Sequence, residues 1–370
     1  MPSALPCSHW ARSTTLDHRR LVLQEEPKTT PTCSRFQPNS QCSHRRDVSI
    51  SSLRRSGRPL PMRRQFQPNG RSLHAEADRT LYPTSHWEHR VSTHQTQLDY
   101  DVFVAPAKPF NGLQAWIGDP PGWDPTTATL IFGERDAVLV DALCTMNEAA
   151  VLADWVGLHG RGLTTIYITH AHFDHWLGLS VLLERFPSAR AIASAGTVGL
   201  MRRVSQFDTY RAWFPGKIAD TIGVPEPLVT DYFELEGHRL EVIETGHTDC
   251  NNSTSLYVPE LGVIVAGDVV YNHCHMYVGD TTQASRNEWI AALDKLAGLH
   301  PQAVVAGHKD PTCGNSPSIV AESRGYIESY GQLCDAGLRD RELFDAMVSR
   351  YPDWISRQQF LLLGLHSGHQ

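Results

Sequence analysis

The residues of this chain that are best suited to chemistry form one histidine-rich stretch, T-H-A-H-F-D-H-W, at positions 169–176. Three imidazoles and one carboxylate lie within six residues, at His170, His172, Asp174 and His175. Imidazole nitrogens and carboxylate oxygens suit a borderline-soft divalent metal such as zinc. A polar loop that happens to contain three histidines is the simpler interpretation, and the flanking sequence decides between the two.

The elements predicted on either side of this stretch favour a metal centre. Residues 164–168, T-T-I-Y-I, form an apolar, β-branched run that predicts a buried strand. Residues 177–186 have a helical pattern of apolar positions. The histidines therefore lie on a strand-to-helix turn, where side chains can converge on one point, and we predict that they bind a metal ion.

Three later strand ends carry further ligand-type residues, each next to a glycine: Gly246-His247, Gly267-Asp268 and Gly307-His308. A single histidine after a strand is usually structural or on the surface, so the inference depends on the whole set. Strand ends on one edge of a sheet bring their loops together, and such loops often carry function. The candidate ligands are His170, His172, Asp174, His175, His247, Asp268 and His308. Seven ligands are too many for one tetrahedral zinc and suit two ions.

The motifs T-H-A-H-F-D-H-W, G-H-T, A-G-D and A-G-H-K, in this order, resemble those of the metallo-β-lactamase-fold hydrolase superfamily. The resemblance extends from about residue 100 to residue 308. It implies an α+β fold, a four-layer αβ/βα sandwich, with a two-metal site. It does not identify a substrate, because the superfamily includes lactamases, lactonases, thioester hydrolases, sulfatases and nucleases.

The resemblance also implies a role for each candidate ligand. His170, His172 and His247 would bind the first metal, Asp174, His175 and His308 the second, and Asp268 both. We expect two zinc ions per chain, with iron or manganese as alternatives in the second site, which is richer in carboxylate. A water that bridges two dications loses a proton near neutral pH and becomes the nucleophile, and the metals stabilise the oxyanion that forms.

Tyr271 and Asp174 are the candidate catalytic residues besides the metals. In lactonases of this superfamily a tyrosine three residues after the bridging aspartate helps to hold the substrate carbonyl or the leaving oxygen, and the alternative for Tyr271 is a core tyrosine. Asp174 is also a candidate proton shuttle to the leaving group. Further candidates for the pocket wall are His273, His275, Tyr277, Trp116, Trp123, Trp176 and Trp213.

The expected function is a dinuclear metal-dependent hydrolase in which a metal-bridging hydroxide opens a small-molecule lactone or lactam, or cleaves a related ester. A thioester hydrolase like glyoxalase II is an alternative, although its glutathione-binding basic residues are not recognised in this sequence. An iron-dependent oxidoreductase on the same fold is an alternative of another class, which metal analysis would distinguish. A noncatalytic binding protein would normally have lost metal ligands.

Composition divides the chain of 370 residues into three predicted parts. Residues 1–95 contain fifteen Lys and Arg against seven Asp and Glu, which leaves eighteen against thirty-three in the rest. No apolar period persists there, so we predict a disordered, basic, low-complexity tail. A mitochondrial transit peptide is one alternative, but Asp17, Glu25 and Glu26 argue against it. A basic tail that contacts nucleic acid and an over-extended gene model are the others. Residues 96–315 form the predicted catalytic domain, and residues 316–370 a helical extension packed on it.

The same composition limits partners and compartment. No stretch approaches about 18 uninterrupted apolar residues, so no membrane span is predicted. Eight scattered cysteines without a C-x-x-C pair indicate reduced thiols and a cytoplasmic protein. The acidic character after residue 95 disfavours a nucleic-acid partner, because phosphate contacts dominate that affinity. The expected partner is a small-molecule substrate, and the oligomeric state is left open.

The remaining pattern predicts a mixed order of elements. Residues 129–141 predict a hairpin with a polar turn, and residues 198–213 predict one helix. Helical patterns from about residue 318 are interrupted at Gly337 and Pro352.

Overall fold

The computed structural model describes residues 97–112, 116, 122–356 and 359–367, and all of them belong to one compact unit. The predicted basic tail lies outside the described residues. The strands, in chain order, are β1 (Asp99–Ala105), β2 (Lys108–Pro109), β3 (Gly122–Trp123), β4 (Thr126–Phe132), β5 (Asp136–Val140), β6 (Gly162–Ile168), β7 (Arg190–Ser194), β8 (Glu226–Leu228), β9 (Tyr232–Leu235), β10 (His238–Gly246), β11 (Ser253–Val258), β12 (Val263–Asn272) and β13 (Ala303–Lys309). The helices are α1 (Met146–Leu158), α2 (Leu179–Arg185), α3 (Ala195–Met201), α4 (Phe207–Trp213), α5 (Gln283–Ala297), α6 (Ile319–Asp335), α7 (Asp340–Arg350) and α8 (Gln359–Ser367).

Eleven of the described strands form one mixed sheet in the order β8-β7-β6-β5-β4-β13-β12-β11-β10-β9, with β1 beside β4. The predicted hairpin is confirmed, since β4 and β5 are antiparallel with Thr129 opposite Val140. The β5–β6 and β12–β13 pairs are parallel. Helices connect these parallel strands, as parallel pairing requires.

The sheet curls so that its two halves face each other, and strand alternation produces two cores. In β5, Val138 and Val140 belong to an inner core that also contains Leu240 from β10 at the other end of the sheet. Ala137 and Leu139, which alternate with them, belong to the larger core under the helices. Successive side chains of a strand point to opposite faces, so each half of the sheet contributes to both cores. This is the α+β sandwich that the sequence predicted.

The predicted single helix at residues 198–213 is wrong, because the structure has two short helices there, α3 and α4. The amide of Arg203 bonds to the carbonyl of Leu200, and the amide of Val204 to that of Met201. Such three-residue bonds tighten the last turn and end a helix. The chain then restarts as α4 at Phe207, which turns Tyr210 and Trp213 toward the core.

The C-terminal helices lie against the strands that carry the later motifs. α6 packs on α5 and β12. Ser323 of α6 accepts a hydrogen bond from the amide of Tyr271 and donates one to its carbonyl, at 3.1 and 3.0 Å. Through these two hydrogen bonds, α6 fixes the backbone of β12 at Tyr271. Among the described helices, none combines the length and the apolar character needed to cross a bilayer.

Gly267 provides a test of how tightly β12 packs against the histidine-rich turn. Its φ is +55°, and an added Cβ would lie 2.7 Å from the Thr169 hydroxyl oxygen. Gly237 also has a positive φ, +88°, but open space at the Cβ position. Gly237→Ala should therefore cost about 1 kcal/mol for backbone strain alone. Gly267→Ala should cost roughly 1–3 kcal/mol more, because it also overpacks the contact. Urea unfolding of both variants measures the difference, and equal losses would contradict the close approach at Thr169.

Candidate metal centre

Two groups of histidine and aspartate side chains gather at one edge of the sheet, and within each group the ligand atoms lie within 4.8 Å of one another. All seven residues are buried except His172, which is half-buried. The first group is His170, His172, Asp249 and Asp268, and the second is Asp174, His175 and His308. Six of the seven ligands predicted from the sequence are brought together, and one residue that the sequence analysis missed joins them.

Asp141 fixes the histidine-rich turn from the end of β5. Its carboxylate accepts hydrogen bonds from the amide and the hydroxyl of Thr169, and its Oδ2 lies 2.9 Å from Nδ1 of His175. A carboxylate only accepts, so His175 donates through Nδ1 and its Nε2 is left for a metal. Nδ1 of His170 lies 3.0 Å from the Thr169 hydroxyl oxygen. Because the hydrogen of that hydroxyl goes to Asp141, His170 donates through Nδ1, and its Nε2 is also left for a metal. Sequence analysis missed Asp141, although an aspartate directly after an apolar strand is a signal that could have found it.

His308 is oriented in the same way from another strand. Its Nδ1 lies 3.1 Å from the carbonyl oxygen of Pro125, which precedes β4. Its Nε2 lies 3.1 Å from Oδ2 of Asp174 and 3.3 Å from Oδ2 of Asp268. The backbone thus fixes one nitrogen of the ring, and the other points at the carboxylates of the site.

Asp268 lies between the two groups. Its Oδ1 is 3.2 Å from Nε2 of His175, and its Oδ2 is 3.9 Å from Nε2 of His170. The hydroxyl of Tyr271, further along β12, donates to Oδ2 at 2.9 Å. Gly307 must be a glycine here, because an added Cβ would collide with Oδ1 of Asp268. A single carboxylate therefore contacts histidines of both groups, which is the position that a bridging ligand needs.

Asp249 occupies the remaining place in the first group. Its Oδ2 lies 2.6 Å from Nδ1 of His172 and 3.5 Å from Nε2 of His170. Its Oδ1 accepts hydrogen bonds from Thr248 and Ser253. His247, the residue predicted for this place, lies outside both groups, with Nε2 3.0 Å from the carbonyl oxygen of Asp280. The role of His247 as a ligand therefore stays a prediction, and Asp249 is the second candidate, two residues along the same loop.

The charges of the cluster are strongly coupled. Burial and the neighbouring His175 lower the pKa of His170, which favours its neutral, metal-binding form. Burial opposes charge on His308, but Asp268 and Asp174 outweigh it and raise the pKa of His308 to about 9. Burial likewise opposes charge on Asp268, yet His308 and His175 hold its pKa well below the usual range. The buried carboxylates thus create a strongly negative site that attracts cations.

The residues present fit a pair of divalent metal ions. The Nε2 atoms of His170, His175 and His308 are buried and make no hydrogen bond of good geometry with any residue that the structure describes. A buried polar atom without such a bond is costly, and a metal ion would satisfy these nitrogens. The four carboxylates of Asp141, Asp174, Asp249 and Asp268 together match the charge of two dications. Mixed imidazole and carboxylate ligands suit zinc and also iron.

Trp123 adds a partner outside the ligand set. Its indole N–H donates to Oδ2 of Asp174 at 2.9 Å, the oxygen that also faces His308. The ring is fully buried, against Phe173 and Phe360. Hydrogen bonds of this kind orient a ligating carboxylate and tune its donor strength.

The other residues predicted for the pocket separate into two sets. Tyr271 and Tyr277 line a small cavity beside the ligands, together with Trp123. His273 lies elsewhere, where it pairs with Glu322, and His275 is buried with Nδ1 3.0 Å from the Tyr326 hydroxyl. Three tryptophans do not line the cavity: Trp176 donates to the carbonyl of Ala171, Trp213 packs on Phe173, and Trp116 packs on Phe344.

Comparisons with known proteins identify the family and the fold. A family model described as the metallo-beta-lactamase superfamily matches residues 121–308. A metallo-beta-lactamase family protein from Thermus thermophilus is similar with a TM-score of 0.50 and 21% identity, over 72% of this chain and 92% of that one. At that identity the likeness shows the fold alone. A metallo-beta-lactamase from Pontibacter korlensis matches with a TM-score of 0.46 and 18% identity, over 63% and 99% of the two chains. FIM-1 from Pseudomonas aeruginosa, in its mono-zinc form, matches with a TM-score of 0.46 and 13% identity, over 62% and 91%.

The third ligand of the first group can be identified by two matched variants. Because Asp249 faces both His170 and His172, Asp249→Asn should lower the zinc content by about one ion per chain. His247→Gln should keep both ions, since its ring bonds a backbone carbonyl outside the group. Metal analysis after gel filtration measures both. Loss of zinc in His247→Gln alone would assign the position to His247 and contradict the geometry.

The hydrogen bond from Trp123 can be removed while most of the aromatic surface is kept. Trp123→Phe should weaken zinc binding at the second group by roughly 10–100-fold, the usual cost of losing an outer partner of a ligand. Trp213→Phe is the control, because Trp213 lies in the same aromatic cluster, 6.4 Å from Trp123 between ring centroids. Competition with a chromophoric chelator measures both affinities. Equal affinities in the two variants would show that the indole N–H does not act on Asp174.

Proposed function

Because this chain belongs to the metallo-beta-lactamase superfamily, whose members are metal-dependent hydrolases, we propose that it uses two zinc ions to hydrolyse a small-molecule carbonyl compound. The chain is a metal-dependent hydrolase by this membership. The substrate proposed for it is a cyclic ester or amide, or a related open-chain ester. In the reaction, the oxygen of water bonds to the acyl carbon, the carbon–heteroatom bond breaks, and the leaving atom takes a proton.

The observation that carries this proposal is the position of Asp268 between two ligand groups. Its carboxylate lies within 3.3 Å of His175 and His308 and within 3.9 Å of His170. Two divalent ions held by these groups would lower the pKa of a water molecule and polarise the scissile carbonyl. Zinc is favoured because every side chain in both groups is an imidazole or a carboxylate.

Two protein groups are proposed to act on the substrate directly. Burial and the nearby Asp268 raise the pKa of Tyr271 well above its usual value, so its hydroxyl stays protonated. Its single hydrogen, which donates to Asp268 in this structure, would turn to a carbonyl or leaving oxygen when a substrate binds. Asp174 lines the same cavity, so its carboxylate could accept the proton that the attacking water gives up and pass that proton to the leaving atom. Trp123 would hold Asp174 in the orientation that this transfer needs.

Free thiols support a cytoplasmic location as part of the proposal. Four cysteines in the described part of the chain, Cys144, Cys274, Cys313 and Cys334, are free thiols, and the first two are buried. Unpaired cysteines are typical of reducing compartments.

Metal analysis and a substrate screen test the proposed function together. The full chain, purified without chelator and supplied with zinc, should hold close to two ions and hydrolyse at least one neutral lactone, lactam, ester or thioester. Removing the metal with a chelator should abolish the activity, and zinc should restore it. Bound iron with redox activity and no hydrolysis would instead favour an oxidoreductase.

Substitutions at Asp268 and Tyr271 should have clearly different effects. Asp268→Ala should leave both ligand groups short of a ligand, so it should lose metal and approach the uncatalysed rate. Tyr271→Phe should keep both metals and lose roughly a hundredfold in kcat/KM, the cost of about 3 kcal/mol for one hydrogen bond to a developing charge.

The readout for these variants is kcat/KM together with zinc content on any substrate found in the screen. Asp208→Ala is the control, because that side chain is fully exposed on α4. Full activity with two metals in Asp268→Ala would overturn the bridging role of Asp268.

A further inference from the structure

The cavity beside the metal ligands is small and largely aromatic. Its volume is about 10 Å³, roughly the space of one water molecule. It is lined by Trp123, His172, Phe173, Asp174, Asp268, Tyr271, Tyr277, His308 and Phe360. Five of these nine residues are aromatic side chains outside the ligand groups, and the other four are members of those groups.

Apart from the ligand groups themselves, the cavity offers no partner for a negatively charged substituent. Every charged side chain among the described residues that line it belongs to the ligand groups, and none is Lys or Arg. The lysines on nearby strands are engaged elsewhere, since Lys108 pairs with Glu148 at 2.6 Å and Lys309 donates to Asn315 at 2.8 Å. Burying an anion away from the metals, against aromatic rings alone, would therefore be costly.

Phe360 of α8 covers the ligands. The centroid of its ring lies 4.6 Å from that of His308, 5.2 Å from that of Trp123 and 6.0 Å from that of Tyr271. The side chain is buried, and it reaches the site from a helix more than fifty residues after His308. Phe360 therefore sets how much room remains above the ligands.

The backbone of α8 is in close contact with the backbone at Gly279, which limits movement of the helix toward the rest of the protein. Gly364 lies one turn after Phe360 and packs directly on Gly279, where an added Cβ would lie 2.6 Å from the Gly364 Cα. Residues one turn apart share a face of a helix. The face of α8 that carries Phe360 is therefore seated on the main chain, and the phenyl ring is the part that can yield to a substrate.

We propose that the substrate is a compact, uncharged ester or lactone with an apolar substituent, and that Phe360 limits the size of that substituent. The proposal depends on the proposed hydrolytic function and specifies its substrate class. A neutral acyl chain can replace or displace the phenyl ring against Trp123 and Tyr271. When His172 and His308 hold metal as neutral ligands, a carboxylate on the acyl chain has no counter-ion among the other described lining residues.

Matched esters test the charge requirement on the zinc-loaded full chain. p-Nitrophenyl valerate and mono-p-nitrophenyl glutarate share a leaving group and differ at the acyl end, where one is neutral and the other carries a carboxylate. We expect kcat/KM to be at least about tenfold higher for the valerate, because an unpaired buried anion is disfavoured. Equal values, or a preference for the glutarate, would overturn the substrate class while leaving the hydrolytic function intact.

Binding of two thiols gives the same answer without turnover. Benzenethiol and 4-mercaptobenzoate both bind through sulfur, and the cobalt-substituted protein reports each by its sulfur-to-metal charge-transfer band. Benzenethiol should bind at least about tenfold tighter. Equal or tighter binding of the carboxylated thiol would overturn the proposal. A two-metal protein that binds benzenethiol selectively but hydrolyses no ester, lactone, lactam or thioester would contradict the proposed function alone.

Phe360→Ala tests the size limit. It should raise the kcat/KM ratio of p-nitrophenyl phenylacetate to p-nitrophenyl acetate by about tenfold, and Phe360→Leu should give a smaller increase. Phe344→Ala is the matched control, because Phe344 is an equally buried phenylalanine on α7 that packs on Trp116 outside the cavity. It should lose comparable stability without changing the ratio. An unchanged ratio in both Phe360 variants, or the same increase in Phe344→Ala, would overturn the role of Phe360.

Discussion

Burial of several carboxylates within a few ångströms of one another is the constraint on which this structure depends. Asp141, Asp174, Asp249 and Asp268 are each at most 4% exposed. Isolated, each would be too costly to bury as an anion. Histidines from β13 and from the turn after β6 face these carboxylates at 2.6–3.9 Å, and the pKa values of His308 and Asp268 shift in opposite directions as a result. The charge distribution of the folded chain therefore favours a cation at this candidate site.

Several ligands of the site are oriented by hydrogen bonds from groups outside the ligand set. Asp141 at the end of β5 orients His175, and the carbonyl of Pro125 orients His308. Tyr271 holds Asp268 and is itself fixed by Ser323 of α6. Ligand geometry thus depends on the sheet and on a C-terminal helix at once. The orientation of the candidate ligands therefore depends on the core packed behind the histidine-rich turn as well as on the turn itself.

The ligands lie at the boundary of the larger hydrophobic core. Trp123, Tyr271 and Phe360 all belong to that core and all line the cavity. Under the proposed function, substrate selection would depend on side-chain packing as well as on the metal ions. An apolar substituent must compete with core side chains for the same volume. This is how α8, through Phe360, would limit what reaches the candidate metal centre.

The sequence alone determined the features that depend on local pattern. The H-x-H-x-D-H stretch between a β-branched run and a helical run predicted the turn, and the ordered glycine-flanked motifs predicted that Asp268 and His308 would join it. Hydrophobic periodicity also predicted the hairpin of β4 and β5, since alternation and turn chemistry are encoded over a few residues. The same periodicity failed at residues 198–213, where apolar spacing continues across a break made by backbone hydrogen bonds.

Only the tertiary structure decided which side chains meet. Asp249 and His247 are two residues apart in one loop, and no pattern states which of them faces His172, because a loop's backbone path is set by the strands on either side. Asp141 contacts His175, which is 34 residues away along the chain, and Trp123 contacts Asp174, which is 51 residues away. Phe360 contacts His308, which is 52 residues away. Contacts at such separations arise from sheet order and helix packing, which local sequence preference does not encode.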